Sequence, residues 1–174
     1  MDIIAKEGFG ILQKKPIKSD EEVKELVENY SSLIFRVCYC ILGNRDDAED
    51  AVQETFLKYL TKAPEFVSEE HRKAWLIKVS ANISKNMMIF RRRRETVDID
   101  EVKNIGIREN DFEIFELIMY LPAKYKIVLT LYYIEGYKSK EIAEIIDISE
   151  DAVRKRLQKG RELLKKIFES GEQL

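Results

Sequence analysis

Arg154, Lys155, Gln158, Lys159, Arg161 and Lys165 lie within one short stretch near the C-terminal end of the chain. On a wheel of about 100° per residue they fall on the side opposite Val153, Leu157, Gly160, Leu164 and Ile167. Arginine and glutamine can form paired hydrogen bonds with guanine and adenine edges in a major groove, while lysine neutralises phosphate. The N-terminal half of such a helix would touch bases. Taken alone, a basic amphipathic helix can equally be the solvated face of a helical hairpin. The preceding segment favours DNA. Ser139-Lys140-Glu141-Ile142-Ala143-Glu144-Ile145-Ile146-Asp147-Ile148-Ser149 reads as a capped helix, apolar at Ile142, Ala143, Ile145 and Ile146, then a very short turn before the basic helix. That is the pattern of a helix-turn-helix, with Ile148 placed to lock the crossing. Asp151 would then sit near DNA and must meet a cytosine amino group, a base or water.

A second constellation lies between positions 66 and 94. Trp75, Lys78, Asn82, Lys85 and Asn86 fall within an arc of about 100° beside an apolar stripe, and Arg91-Arg92-Arg93-Arg94 continues from the helix end. A flat aromatic, amides and cations together suit unpaired bases and phosphates, because stacking tolerates any base and amides read base edges. Phe66, in the loop before this helix, is a candidate wall for an extruded base. Trp75 can also be read as a plain core residue, and the arginines as a complement to the helix dipole.

The acids of Asp46–Glu54 read first as helix N-terminal capping and solvation, since they scatter around the helix and do not converge on a metal. His71 is the only histidine and has no Cys or carboxylate at ligand spacing, so a surface role is expected. Cys38 and Cys40 point about 200° apart on one helix and are expected to be reduced core thiols. No nucleophile, base or metal cluster emerges. An enzyme is disfavoured, and no catalytic residue, metal or cofactor is expected.

These groups need a helical frame. The 174 residues are 45% hydrophobic and 36% charged, with Gly 7 and Pro 3, a balance that favours helices and argues against disorder. Lys+Arg 30 against Asp+Glu 32 gives a net charge of -2, which excludes a uniformly basic coat and confines nucleic-acid binding to local patches. Ser19 with Glu22 forms a capping box, after which Val23, Leu26, Val27, Tyr30, Ile34, Val37 and Ile41 mark a core-facing helix that stops at Gly43. A second helix starts near Asn44, with Ala48, Val52, Thr55, Phe56 and Tyr59 inward. A third runs from about Glu69 to Arg94, buried along Leu76, Val79, Ile83, Met87 and Phe90. Periodicity lapses over 95–110, where acids outnumber bases, and four short helical patterns follow: Asp111–Tyr120, Pro122 to Gly136, Ser139–Ile146 and Ser149–Phe168. The expected architecture is all-α. An extension of unknown role (1–18) precedes a three-to-four-helix bundle (19–94), an acidic linker (95–110) and a helix-turn-helix domain (111–174). No apolar run approaches the ~20 residues of a membrane span and the start lacks a secretory apolar region, so a cytoplasmic protein without membrane insertion is expected.

In this order the features resemble the extracytoplasmic-function sigma factors of bacterial RNA polymerase. Asp46-Asp47-Ala48-Glu49-Asp50-Ala51-Val52-Gln53-Glu54-Thr55-Phe56-Leu57-Lys58 is similar to the family's core-polymerase-binding helix, and Ala74-Trp75-Leu76-Ile77-Lys78-Val79-Ser80-Ala81-Asn82 to its promoter-melting helix. Leu121-Pro122 and Gly136-Tyr137-Lys138-Ser139-Lys140-Glu141-Ile142-Ala143 match the start of its second domain. The resemblance implies a dissociable initiation subunit without an active site. By that analogy Asp47, Asp50, Gln53 and Glu54 face core RNA polymerase. Asn82 and Asn86 meet the melted non-template strand of the minus-ten element, joined by Trp75, Lys78, Lys85 and Arg91–Arg94, and Phe66 belongs to the loop that receives a flipped base. Lys138, Ser139, Lys140, Ser149, Arg154, Lys155, Gln158, Lys159 and Arg161 would address the minus-thirty-five duplex. The acidic linker resembles the segment that passes through the RNA exit path, and an anti-sigma factor is an implied partner. The chain departs from the family at Asp151-Ala152-Val153-Arg154-Lys155-Arg156, where Thr-Val-Lys-Ser-Arg is common, which implies a divergent promoter, and it lacks an aspartate often found within 86–90. The competing reading is a helix-turn-helix regulator whose first domain senses a ligand or dimerises.

Overall fold

A computed structural model describes residues 19–90 and 109–170. The extension 1–18, the quartet Arg91–Arg94 and positions 95–108 of the expected linker lie outside the described residues. Every regular element among the described residues is helical: α1 Asp20–Leu42, α2 Arg45–Lys62, α3 Glu69–Phe90, α4 Glu109–Met119, α5 Ala123–Leu129, α6 Ser139–Ile146 and α7 Glu150–Ser170. The fold is all-α.

Local chemistry sets the helix ends. Ser19 Oγ accepts from the Glu22 N–H at 3.2 Å, and the Glu22 carboxylate accepts from the Ser19 N–H at 3.0 Å, so two otherwise orphan donors are satisfied. Gly43 closes α1 at φ 74°, a conformation that costs glycine no Cβ clash, and its N–H reaches the Tyr39 carbonyl at 2.9 Å. Asn44 Oδ1 then caps α2 by accepting from the Asp47 N–H at 2.9 Å. After α5 the chain widens into a π-turn over Thr130–Ile134, in which the Glu135 N–H reaches back to the Thr130 carbonyl at 3.1 Å. Periodicity does not announce that turn, and the segment from Pro122 to Gly136 read as one helical pattern.

Apolar burial is wider than a single stripe on two helices. On α1 the expected face is buried at Leu26, Tyr30, Ile34, Val37 and Ile41, but Val27 is exposed, and Leu33, Arg36, Cys38, Tyr39 and Cys40 are buried as well. The C-terminal half of α1 is enclosed on all sides, because α2 and α3 cover one flank and α5 covers another. On α3 the fully buried positions are Leu76, Ile77, Ser80, Ala81, Ile83 and Ser84, whereas Val79 and Met87 are only half-buried. This helix lies between α1 and α2 on one side and α6 on the other, so no narrow apolar arc describes it. The two helical groups thus share one continuous core instead of standing apart.

Gly160 on α7 marks the closest approach in the second group. A Cβ built there would lie 2.8 Å from Leu129 Cδ1 and 3.2 Å from Cγ, and Leu129 on α5 is fully buried. Gly160→Ala gains about 1 kcal/mol of helix propensity but overpacks this contact at a cost of about 1–3 kcal/mol. The expected outcome is a net loss of about 1 kcal/mol in urea unfolding. A more stable variant would show that Leu129 has room to turn away.

Candidate nucleic-acid interface

Along α3, Lys78, Asn82 and Asn86 are exposed at four-residue steps and form one polar stripe. Trp75, one turn earlier, is half-buried and belongs to a ring cluster: it lies edge-on to Tyr59 at 5.9 Å and to Phe66 at 5.8 Å. Phe66 in turn stacks on Tyr59 at 5.8 Å with 7° between the planes. The His71 ring meets Phe66 edge-on at 5.6 Å, and the Arg72 guanidinium sits 5.9 Å from its centroid. Offset-stacked and edge-to-face geometries are favoured by the ring quadrupoles, so the loop before α3 is pinned to the bundle by its aromatic residue. His71 itself is exposed.

Lys85 differs from its neighbours on the expected stripe. It is half-buried, and its Nζ donates to the Ile146 carbonyl at the C-terminal end of α6, at 3.4 Å. Burial pulls its pKa below the usual lysine range, with Arg156 adding to the effect and Asp147 opposing it. Sequence spacing groups Lys85 with Asn82 and Asn86, whereas packing turns it toward the second helical group.

In that group α6 and α7 meet across Asp147-Ile148-Ser149. Asp147 adopts the left-handed conformation at φ 59°, which a short polar side chain tolerates, and the Ile148 N–H reaches the Ala143 carbonyl at 3.1 Å. Ser149 Oγ accepts from the Ala152 N–H at 3.2 Å and so caps α7. Ile142, Ala143, Ile145 and Ile146 are buried, and so are Val153, Leu157 and Ile167 on α7. Arg154, Lys155, Gln158, Lys159 and Arg161 are all exposed on the outer side, with Lys138, Lys140 and Ser149 exposed and Ser139 half-buried near the start of the motif. Three of these charges are engaged along the helix: Arg154 pairs with Glu150 at 2.6 Å, Lys155 with Asp151 at 3.4 Å and Lys159 with Glu162 at 3.0 Å. Exposed pairs of this kind contribute little and exchange readily for phosphate. Asp151, expected to meet a cytosine amino group, a base or water, pairs with Lys155.

On α2, Asp50, Gln53 and Glu54 are exposed, opposite the buried Ala48, Ala51 and Thr55. Asp47 is half-buried and accepts from Asn44 Nδ2 at 3.0 Å, so it serves the cap of its own helix. Gln53 also borders a cleft of 370 Å³ between α1 and α2, lined by Phe35, Arg45 and Glu49 among others. Among the described residues no three His, Cys, Asp or Glu side chains gather as a metal site would require. Cys38 and Cys40 are buried and unpaired with each other, and burial pushes their thiols up to about 12 and about 11, which leaves them protonated and inert. No helix among the described residues is long and apolar enough to cross a membrane.

Three residues that sequence reasoning passed over link the helical groups: Arg36, Lys73 and Glu135. Arg36 Nη2 and Nε lie 2.6 and 2.8 Å from Glu135 Oε1, and Lys73 Nζ lies 3.7 Å from Oε2. A lone arginine inside the apolar run Leu33-Ile34-Phe35-Arg36-Val37 was the available signal.

The fold is thus an all-helical one with two separate solvent-facing polar surfaces, a stripe on one long helix and the basic outer side of a capped helix-turn-helix. Residues 26–96 match the family profile for Sigma-70 region 2, and residues 111–164 that for Sigma-70, region 4. The ECF RNA polymerase sigma factor SigW of Bacillus subtilis is 27% identical over 173 residues, spanning 88% of this chain and 92% of the relative. The ECF RNA polymerase sigma-E factor of Haemophilus influenzae is 29% identical over 140 residues, covering 70% and 74% of the two chains. Among solved structures, the sigma factor RpoE in complex with the anti-sigma factor NepR from Bartonella quintana superposes with a TM-score of 0.65 at 20% identity, over 86% of this chain and 98% of that one. CnrH, solved with the cytosolic domain of CnrY, gives 0.64 at 19%, over 88% and 92%. The chain belongs to the sigma-70 family, in its extracytoplasmic-function group.

Proposed function

We infer that the chain acts as an alternative sigma factor: it joins core RNA polymerase, directs it to a promoter, helps melt the DNA there and leaves after initiation. The observation that carries this is the ordered pair of Sigma-70 regions, each presenting an exposed polar helix face, α3 in the first and α7 in the second. In this reading Lys78, Asn82 and Asn86 receive the separated strand, with Phe66 and Trp75 supporting the loop beside it and Lys85 and Arg91–Arg94 adding charge. Arg154 and Gln158 read the paired upstream element, while Lys155, Lys159, Arg161 and the Lys138–Lys140 and Ser149 groups hold its phosphates. Asp50, Gln53 and Glu54 face the polymerase. The chemistry of RNA synthesis then belongs to the polymerase, and the chain works in the cytoplasm with no active site or cofactor of its own. The two solved relatives are complexes, one with the anti-sigma factor NepR and the other with the cytosolic domain of CnrY, and we extend an inhibitory protein partner to this chain.

Run-off transcription with core enzyme on genomic templates tests the reading. Promoter-dependent initiation that requires the chain is the expected result. Its absence on every template, together with tight duplex binding by the free protein, would instead favour a helix-turn-helix regulator. Within the upstream face, Arg154→Ala or Gln158→Ala should each lose about 1–3 kcal/mol of discrimination between promoter and random DNA. Lys159→Ala should weaken both equally. Equal losses for all three variants would contradict the division between base readers and phosphate binders.

A further inference from the structure

The seam between the helical groups holds three charged side chains that have no role in the proposed reading, Arg36, Lys73 and Glu135. Arg36 on α1 and Glu135, just past the π-turn, are separated by 99 positions, yet both are almost fully buried and joined through two nitrogens on one carboxylate oxygen. Lys73 on α3 reaches the other oxygen at 3.7 Å, and its Nζ lies 5.2 Å from the Tyr137 ring centroid. Beside this triad Cys40 Sγ and Thr130 Oγ1 are 3.3 Å apart, again across the two groups. Further along, Lys85 donates to the Ile146 carbonyl. All three contacts bridge the same seam.

A buried ion pair of this kind contributes modest net stability, because desolvation cancels much of the Coulomb attraction, but it tolerates little displacement and is costly to leave half-made. It fixes one arrangement without sealing it. That arrangement conflicts with simultaneous use of both DNA faces. Elements named for positions minus-ten and minus-thirty-five lie about 25 base pairs apart, roughly 85 Å along B-DNA at 34–36 Å per turn. A chain of this length folded as one compact body has a radius of gyration of about 16 Å and spans about 40 Å. It cannot reach both.

We propose that Arg36, Glu135 and Lys73 form an intramolecular latch that holds the two helical groups in a closed, initiation-incompetent form, with Lys85 withdrawn from the strand-binding stripe, and that the latch must part before the chain can work. The consequence for initiation rests on the sigma-factor reading, whereas the latch itself does not. Tyr59, Phe66 and Trp75 pack on one another within the first group, a contact that opening need not break. Three cations would face one another if Glu135 were replaced by lysine, and the groups should then separate.

Two variants test this. Glu135→Lys should raise the radius of gyration in small-angle scattering from about 16 Å to above about 20 Å with helicity retained, and adding Arg36→Glu should restore the compact value. Thr130→Cys, made with Cys38→Ala, places a new thiol against native Cys40. Oxidation should cross-link the chain internally and lower run-off transcription at least tenfold, and reductant should restore it. An oxidised chain as active as the reduced one, or unchanged scattering for Glu135→Lys, would each overturn the latch. If the reduced chain supports no initiation, the sigma-factor reading fails instead, and scattering of Glu135→Lys against the cross-linked chain still decides whether the groups are latched.

Discussion

Tyr39→Ala is expected to lower the unfolding free energy by about 3–5 kcal/mol, the range for removing a large aromatic side chain from a core. Tyr39 is completely buried, and its ring stacks on Phe35 with centroids 5.8 Å apart and 20° between planes. It stands in the part of α1 that is enclosed from every side, so the surroundings have little freedom to collapse into the vacated volume. With a typical total stability of about 5–15 kcal/mol, such a loss leaves a marginal protein. Urea unfolding followed by circular dichroism measures it. Val67→Ala, at the 91% exposed tip of the loop before α3, serves as the control and should stay within about 0.5 kcal/mol of the parent. A loss for Tyr39→Ala below about 1 kcal/mol would mean that the α1 core is far more plastic than its packing implies.

Changing Asp50 to Arg together with Gln53 to Ala should abolish co-purification with core RNA polymerase while leaving helicity and the unfolding midpoint near those of the parent. Both side chains are exposed on α2, away from Ala48, Ala51 and Thr55, so the fold does not depend on their packing. If these groups form the proposed contact, the double variant reverses the charge and removes the amide there, and a charge mismatch at an interface costs several kcal/mol, enough to remove binding at ordinary concentrations. Asp47→Ala makes a useful contrast: Asp47 accepts from the side chain of the α2 cap, so its loss should appear in stability before assembly. Undiminished recovery of polymerase with the double variant would remove α2 from the proposed contact.

Much of the architecture was legible in the chain itself. The Ser19–Glu22 box, the Gly43 stop, the Asn44 cap and the corner at Asp147-Ile148-Ser149 all involve groups within a few residues of one another. Caps and helical periodicity are local, so composition and spacing specify them before any tertiary contact forms. The same locality explains why the outer face of α7 could be drawn on a wheel, and why Lys78, Asn82 and Asn86 share an exposed stripe. Trp75 was ambiguous for a related reason: spacing gives the direction in which a ring leaves its helix, but not whether Tyr59 and Phe66 wait there.

What the sequence by itself determined, then, is the set of helices, their ends and the polar faces they carry. Tertiary structure alone decided how wide each buried face is, that Lys85 turns away from the amides beside it, and that the two helical groups close on one core around Arg36 and Glu135. The physical reason is range. Capping and periodic burial act over one or two turns, whereas a pairing across 99 positions depends on which solvated charges can be stripped of water together, and no local pattern records that.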